Sequence, residues 1–250
     1  MKTLVVLPTY NEAHTIEEVL RRTRAALPST SVLVVDDGSP DGTADLVEKA
    51  AAGTDGIELL RRDRRGGLGD AYRAGFAWGL ERGAEALFEM DSDLSHDPAA
   101  LPALLAALED HDLVIGSRYV PGGSIPQWGL HRRLLSRAGN AYSALMLGVP
   151  VRDMTSGFRA YRAGLLESMA LSTVTADGYG FQIEMAYRAA RAGARITEVP
   201  IRFVDREFGD SKMSLDIVVE ALRLVTRWGL ARLWASARNR TGRAPGGRPA

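Results

Sequence analysis

Ala86-Leu87-Phe88-Glu89-Met90-Asp91-Ser92-Asp93-Leu94-Ser95-His96-Asp97 is a short apolar run that breaks into carboxylates. Ala86–Glu89 has the length of a buried strand, and Asp91 and Asp93 stand two apart where it ends. An open α/β sheet binds its ligand at the carboxyl ends of its strands. Alternate residues of an extended chain point the same way, so both carboxylates can face one point. A hard divalent cation is the natural occupant, because Mg²⁺ and Mn²⁺ prefer oxygen ligands. A cation held by only one or two carboxylates keeps positions free for substrate phosphates.

The surrounding pattern supplies the sheet. Residues 3–7, 31–35, 57–60 and 113–115 are further apolar runs of strand length. Amphipathic segments at 12–26, 44–52, 68–82 and 98–109 alternate with them. This β-α repetition implies a mostly parallel central sheet with helices on both faces. The strands are continuously apolar, as expected when both faces are buried. Beyond Tyr119 the pattern changes. A Gly/Pro loop covers 120–129. A helix is expected over 131–147, with Leu134, Leu135, Ala138, Tyr142, Leu145 and Met146 on one side. Residues 149–161 read as irregular, 179–192 as helix, 195–199 as strand and 214–237 as an amphipathic helix. Residues 238–250, with four arginines, three glycines and two prolines, read as a disordered basic tail.

Composition narrows the function classes. The 250 residues carry 31 basic and 31 acidic side chains, so no net charge argues for nucleic acid. The absence of cysteine excludes disulfides and thiolate metal sites. No apolar stretch is long enough for a conventional spanning helix. All basic residues but Lys2, Lys49 and Lys212 are arginine.

Two more loops fall on the edge that Asp91 and Asp93 occupy: Pro8-Thr9-Tyr10-Asn11-Glu12, and Asp36-Asp37-Gly38-Ser39-Pro40-Asp41-Gly42-Thr43. Asp36 or Asp37 can accept hydrogen bonds from a base or ribose. Asp41 to Thr43 also suit a plain turn and helix cap. Neither loop is a glycine-rich phosphate cradle.

These loops and Asp91-Ser92-Asp93, taken with Gly67-Leu68-Gly69-Asp70-Ala71-Tyr72, Gly116-Ser117-Arg118-Tyr119, Thr155-Ser156-Gly157-Phe158-Arg159 and Gly180-Phe181-Gln182-Ile183-Glu184-Met185, resemble glycosyltransferase family 2. Within it they are similar to the polyprenol (dolichol) phosphate mannose synthases, over about residues 3–213. The resemblance implies a GT-A, Rossmann-like nucleotide-sugar-binding fold over 1–237. Residues 1–120 would form its nucleotide-sugar half, 121–213 its acceptor half, and 214–237 a C-terminal helix. It implies an inverting transfer of mannose from GDP-mannose to a polyprenyl monophosphate. A related synthase using UDP-glucose or another donor, and a non-catalytic nucleotide-binding scaffold, are the alternatives.

By the same resemblance, Pro8, Tyr10, Glu12, Asp36 or Asp37, and Asp91 hold the nucleotide sugar, and Asp91, Asp93 and Ser95 hold Mg²⁺ or Mn²⁺. Ser95-His96 departs from the family's usual Gln-His, so Ser95 either ligates weakly or yields to water, and His96 is a poorer ligand candidate. Asp93 and Arg118 would be catalytic. Arg118, Arg132, Ser136, Arg206 and Lys212 would surround the acceptor phosphate. Arg132 and Ser136 share a helix face at i, i+4, although Arg133 competes with Arg132. Cations are needed because two anions must approach each other, and arginine matches phosphate bidentately. Asp153, Asp177 and Glu184 either orient sugar and loops or are structural.

The lipid acceptor requires contact with a bilayer. The last helix combines Leu222, Trp228, Leu230, Leu233 and Trp234 with Arg223, Arg227 and Arg232. It suits either an interfacial helix or one packed on the sheet. The expectation is a peripheral protein on the cytoplasmic face, docking directly or through a membrane-embedded partner subunit.

Overall fold

A computed structural model describes residues 1–205 and 215–241 of the chain. Arg206 and Lys212 lie outside the described residues. The strands are β1 (Thr3–Thr9), β2 (Ser31–Asp36), β3 (Ile57–Arg61), β4 (Ala86–Glu89), β5 (Leu113–Ser117), β6 (Arg159–Arg162) and β7 (Ile196–Pro200). They form one sheet in the order β3-β2-β1-β4-β6-β5-β7. The pairs β3/β2, β2/β1, β1/β4 and β5/β7 are parallel, while β6 runs antiparallel to both β4 and β5. The helices are α1 (Ile16–Ala26), α2 (Thr43–Gly53), α3 (Leu68–Glu81), α4 (Leu101–Ala107), α5 (Leu130–Leu147), α6 (Ala163–Ser168), α7 (Gly178–Arg191) and α8 (Leu215–Thr241).

The period-2 alternation of β1 divides the core. Val5 and Leu7 pack on one face with Ile16, Val19 and Leu20 of α1, Val47 of α2, and Leu101 and Leu104 of α4. Leu4 and Val6 pack on the other with Tyr72 and Phe76 of α3, Phe181 of α7 and Val225 of α8. Gly75 lets α3 lie directly on β1, since a Cβ there would overlap Val6 Cγ1.

Four expectations need correction. Residues 149–161 are not irregular throughout: Arg159 begins β6, whose short four-residue span carries too little periodicity to read. The helix expected from residue 12 begins at Ile16, because Asn11 takes a left-handed conformation (φ 61°) and Thr15 N donates back to Glu12 O. On α5, Leu134, Leu135 and Leu145 face solvent, whereas Asn140, Ser143 and Leu147 are buried. The buried face carries polar residues because Asn140 Oδ1 accepts from Thr155 N (3.2 Å) and its Nδ2 donates to Ser136 O (2.8 Å). The last helix continues to Thr241, four residues into the expected tail; the rest of that tail lies outside the described residues.

α8 packs against the rest of the fold along part of its length. Ala221 and Val225 are buried, Trp228 stacks on Tyr187, and Thr226 hydrogen-bonds Tyr142 at 2.7 Å. Farther along, Leu230, Leu233 and Trp234 are exposed.

Candidate active site

A cleft of about 600 Å³ opens at the carboxyl ends of β1, β2 and β4. Pro8, Tyr10 and Glu12 follow β1, Asp37 follows β2, and Asp91, Ser92 and Asp93 follow β4. Arg132 from α5 and Asp177, Tyr179 and Gln182 around the start of α7 also line it.

The two carboxylates of the opening motif share this cleft. Tyr72 Oη donates to Asp91 Oδ1 at 3.4 Å. Burial, then the adjacent Asp91 charge, push the Tyr72 phenol up, so it stays a protonated donor. Leu94 takes φ 64°, a conformation that costs a branched side chain free energy and often marks a functional turn. This turn brings Ser95 back onto Asp93: its N–H and Oγ both donate to Asp93 Oδ1, at 3.0 and 2.6 Å. Ser95 is 2% exposed and absent from the cleft wall, which corrects its expected role as a metal ligand. It orients Asp93 instead. His96 does not line the cleft either. Its Nδ1 accepts from Asp91 N (3.3 Å) and its ring packs against Phe158 and Phe203. Burial drives its imidazole down to about 4 against the opposing pull of Asp93, so the ring is neutral at pH 7.

The adjacent acids Asp36 and Asp37 divide their roles. Asp36 accepts from Thr9 Oγ1, Ser39 N and Ser39 Oγ and is absent from the cleft wall, a correction to its expected place there. Successive residues at a strand end point to opposite sides. Asp37 therefore faces the cleft, where it pairs with Arg62 at 2.5 Å and accepts from Gly66 N and Gly67 N.

Arg118 does not line the cleft either. It is 6% exposed, and its Nε and Nη2 grip Asp153 at 2.8 and 2.7 Å while its backbone N donates to the same carboxylate at 2.9 Å. Burial opposes the charge on both partners, but their mutual attraction raises Arg118 and lowers Asp153. Nη2 also reaches Thr155 Oγ1 (2.8 Å), a residue of the cleft wall. Arg118 thus acts on the cleft through Thr155. Arg132 does line it, with its guanidinium 3.9 Å above the Trp128 ring and 3.3 Å from Asp205. Arg133 points away, donating to Pro126 O at 3.1 Å. Ser136 accepts from Tyr119 Oη at 2.6 Å.

Arg65, Trp128, Phe203, Asp205 and Gln182 carried no assigned role in the sequence, and Asp177 was left between orienting sugar or loops and a structural role. Arg65 stacks over Tyr10 at 4.1 Å, and Asp177 Oδ1 accepts from Gly69 N at 2.6 Å. Gly67 admits Asp177, whose carboxylate would overlap a Cβ there. Trp128, Phe203, Asp205 and Gln182 complete the wall. Beneath it, burial pushes the Glu89 carboxyl up to about 7, with Arg159 and Tyr161 pulling the other way. Lone aromatics and glutamines in a loop or helix give no signal of a cleft; only the fold gathers them.

Charge tests whether a cation fits. Glu12, Asp37, Asp91, Asp93, Asp177 and Asp205 line the cleft, against Arg65 and Arg132. Such an acidic wall repels a nucleoside diphosphate unless positive charge comes with it. Asp91 and Asp93 are its carboxylates nearest one another in sequence, and hard cations accept such a partial ligand set when a diphosphate completes it.

The family model for Glycosyl transferase family 2 matches residues 4–169. The chain belongs to that family. An undecaprenyl-phosphate mannosyltransferase from Micrococcus luteus is 52% identical over 242 residues, covering 97% of this chain and 100% of that one. A polyprenol monophosphomannose synthase from Mycolicibacterium smegmatis is 48% identical, over 92% of this chain and 87% of its own. Among solved structures, glucosyl-3-phosphoglycerate synthase from Mycobacterium tuberculosis, in complex with Mn²⁺, uridine-diphosphate and glucosyl-3-phosphoglycerate, is similar with a TM-score of 0.61. That match is 25% identical and covers 94% of this chain and 79% of the other. The GT-A fold expected for a family 2 glycosyltransferase is the fold of this chain. No described helix is long and apolar enough to cross a membrane.

Proposed function

We propose that this protein transfers mannose from GDP-mannose to a polyprenyl monophosphate, giving polyprenyl-phosphate mannose and GDP, with Mg²⁺ or Mn²⁺ as cofactor. The reading rests on the Asp91/Asp93 pair in a cleft shared with Arg132, in a chain 52% identical to a relative named undecaprenyl-phosphate mannosyltransferase. Residues 1–120 then form the donor half and 121–213 the acceptor half.

Pro8, Tyr10, Glu12 and Asp37 hold the nucleoside side of the donor, while Asp91 and Asp93 hold the cation. The cation, when bound, supplies Lewis-acid stabilisation of charge growing on the departing diphosphate. A phosphate monoester is already anionic at pH 7, so no carboxylate need act as base. Its oxygen attacks the anomeric carbon opposite the leaving GDP, which inverts that centre. Arg132, with Arg206 and Lys212 from the undescribed segment, offsets repulsion between the two anions, and Ser136 contributes a hydroxyl beside Arg132. Arg118 keeps Thr155 and the Asp153 loop in place behind them.

The acceptor's isoprenoid chain brings the protein to a bilayer as a peripheral protein of the cytoplasmic face, with or without a membrane-embedded partner subunit. Leu130, Leu134 and Leu135 on α5 are 72%, 57% and 66% exposed and flank Arg132 and Ser136 in sequence. With Leu230, Leu233 and Trp234 of α8 they supply the apolar part of an interfacial surface.

The test is a donor screen. Purified protein is given GDP-mannose, UDP-glucose or other nucleotide sugars with a polyprenyl phosphate, in Mg²⁺, Mn²⁺ or EDTA, and the lipid product is chromatographed. Mannosyl lipid from GDP-mannose, abolished by EDTA, is expected. Transfer from a different donor only, or transfer that survives EDTA, overturns the reading.

A further inference from the structure

Gln182 is 2% exposed and forms part of the cleft wall; its N–H end lies near enough to Glu89 to hold that carboxyl down, while its Oε1 has no hydrogen-bond partner. Buried polar groups are almost always satisfied, so an orphaned amide carbonyl at a cleft calls for an explanation. Packing does not demand a glutamine: its neighbours Phe181, Ile183 and Met185 on α7 fill the interior with apolar side chains. The adjacent Glu89 has an unpartnered Oε2 of its own. A carboxylate can accept only from the N–H end of the amide, so Glu89 leaves the carbonyl end unmatched even if the amide turns toward it.

Gly157 opens space in front of this amide. A Cβ at position 157 would stand 3.4 Å from Gln182 Nε2 and 3.5 Å from Asp91 Oδ1. The missing side chain therefore leaves a gap between the amide and the carboxylate assigned to the cation. A phosphate oxygen could meet only the N–H end of the amide and a cation only its carbonyl end. A hydroxyl can donate to the open carbonyl and still accept from an amide N–H.

We propose that Gln182 is a specificity-determining residue whose amide binds a hydroxyl of the donor sugar in the gap that Gly157 leaves beside Asp91. This rests on the donor reading above. If Asp91 holds a cation that binds the donor diphosphate, the sugar joined to that diphosphate would come within reach of this gap.

Gln182→Met keeps the side-chain length and removes the amide. Gly157→Ala places a methyl in the gap, at ordinary contact distances and on a backbone outside the left-handed region. Calorimetry with Mn²⁺ measures GDP and GDP-mannose affinity for each protein, and thermal unfolding is followed in parallel. Both variants should bind GDP within about twofold of the parent and lose about tenfold in GDP-mannose affinity. Gln182→Met should unfold no earlier than the parent, because it deletes a buried amide whose carbonyl is unsatisfied. An unchanged ratio of GDP-mannose to GDP affinity in both variants overturns the proposal and assigns the amide to buried water. Equal loss of both ligands with a lowered Tm in Gln182→Met, and no change in ratio for Gly157→Ala, overturns it in favour of a structural role. Failure of the donor reading is distinct. The parent would then turn over another nucleotide sugar, and the same ratio would be measured with that donor and its diphosphate.

Discussion

Replacing Asp153 by Asn should destabilise this protein far more than the small change in shape suggests. Arg118 is buried and meets Asp153 through two side-chain hydrogen bonds of 2.7 and 2.8 Å and a backbone one of 2.9 Å. Arginine keeps its charge in proteins, so Asn leaves a guanidinium with no counter-charge. Its amide NH₂ also faces a donor where an acceptor stood. Breaking one side of a buried pair costs about 3–5 kcal/mol. For a chain of this size that lowers Tm by roughly 10 °C. Removing both charges together, as R118M with D153L, should cost much less, because neither charge is then stranded. Urea unfolding of the parent, both single variants and the double variant closes the cycle. The Asp153 carboxyl is held below its ordinary value of 3.8, since burial raises it but the Arg118 charge and hydrogen bonds lower it more. A carboxylate with a depressed folded pKa contributes stability above its unfolded pKa and loses it as pH falls through the folded one. The gap between parent and D153N should therefore be full at pH 7 and shrink below about pH 4. A loss under about 1 kcal/mol at pH 7, or one that the double variant matches, would refute the buried-pair reasoning.

Asp93→Ala should lower mannosyl transfer by about a thousandfold while GDP-free stability is little changed, read by product chromatography and thermal unfolding. Ser95→Ala should cost only about tenfold and should weaken Mn²⁺ affinity in the presence of GDP, because it removes the Oγ hydrogen bond to Asp93 Oδ1 while the backbone N–H bond and the carboxylate remain. Gly75→Ala, on a helix that touches β1, should destabilise by about 1–3 kcal/mol in urea, since the added methyl overlaps Val6. Leu134→Ser with Leu135→Ser should reduce sedimentation with anionic vesicles and leave Tm within a degree or so, since both side chains are exposed; unchanged sedimentation would remove α5 from the membrane surface.

Much of the cleft was legible because its residues belong to strand ends. Asp91, Asp93, Asp37, Pro8, Tyr10 and Glu12 all reach it. The arginines were less legible. Arg118 and Arg132 looked alike as motif arginines, yet one is buried against Asp153 and the other lies over Trp128 in the cleft. Nothing in a linear pattern distinguishes a cation buried against a carboxylate 35 residues away from one paired with Asp205 at the cleft wall. Ser95 was weighed as a ligand because its position in sequence allowed it; the left-handed turn at Leu94 gives its hydroxyl to Asp93 instead.

The amino-acid order alone determined the layered α/β architecture and the edge on which Asp91 and Asp93 stand. Strand periodicity and the alternation of strands with helices are local properties, and parallel connection follows from them. Tertiary structure decided what local pattern cannot carry. It inserted β6 antiparallel between β4 and β5, turned the α5 leucines outward, and chose Asp37 over Asp36 for the cleft. It also brought Gln182 and Gly157 beside Asp91. Each depends on which groups far apart in the chain meet after burial, and only there do hydrogen-bond partners and exposure take their values.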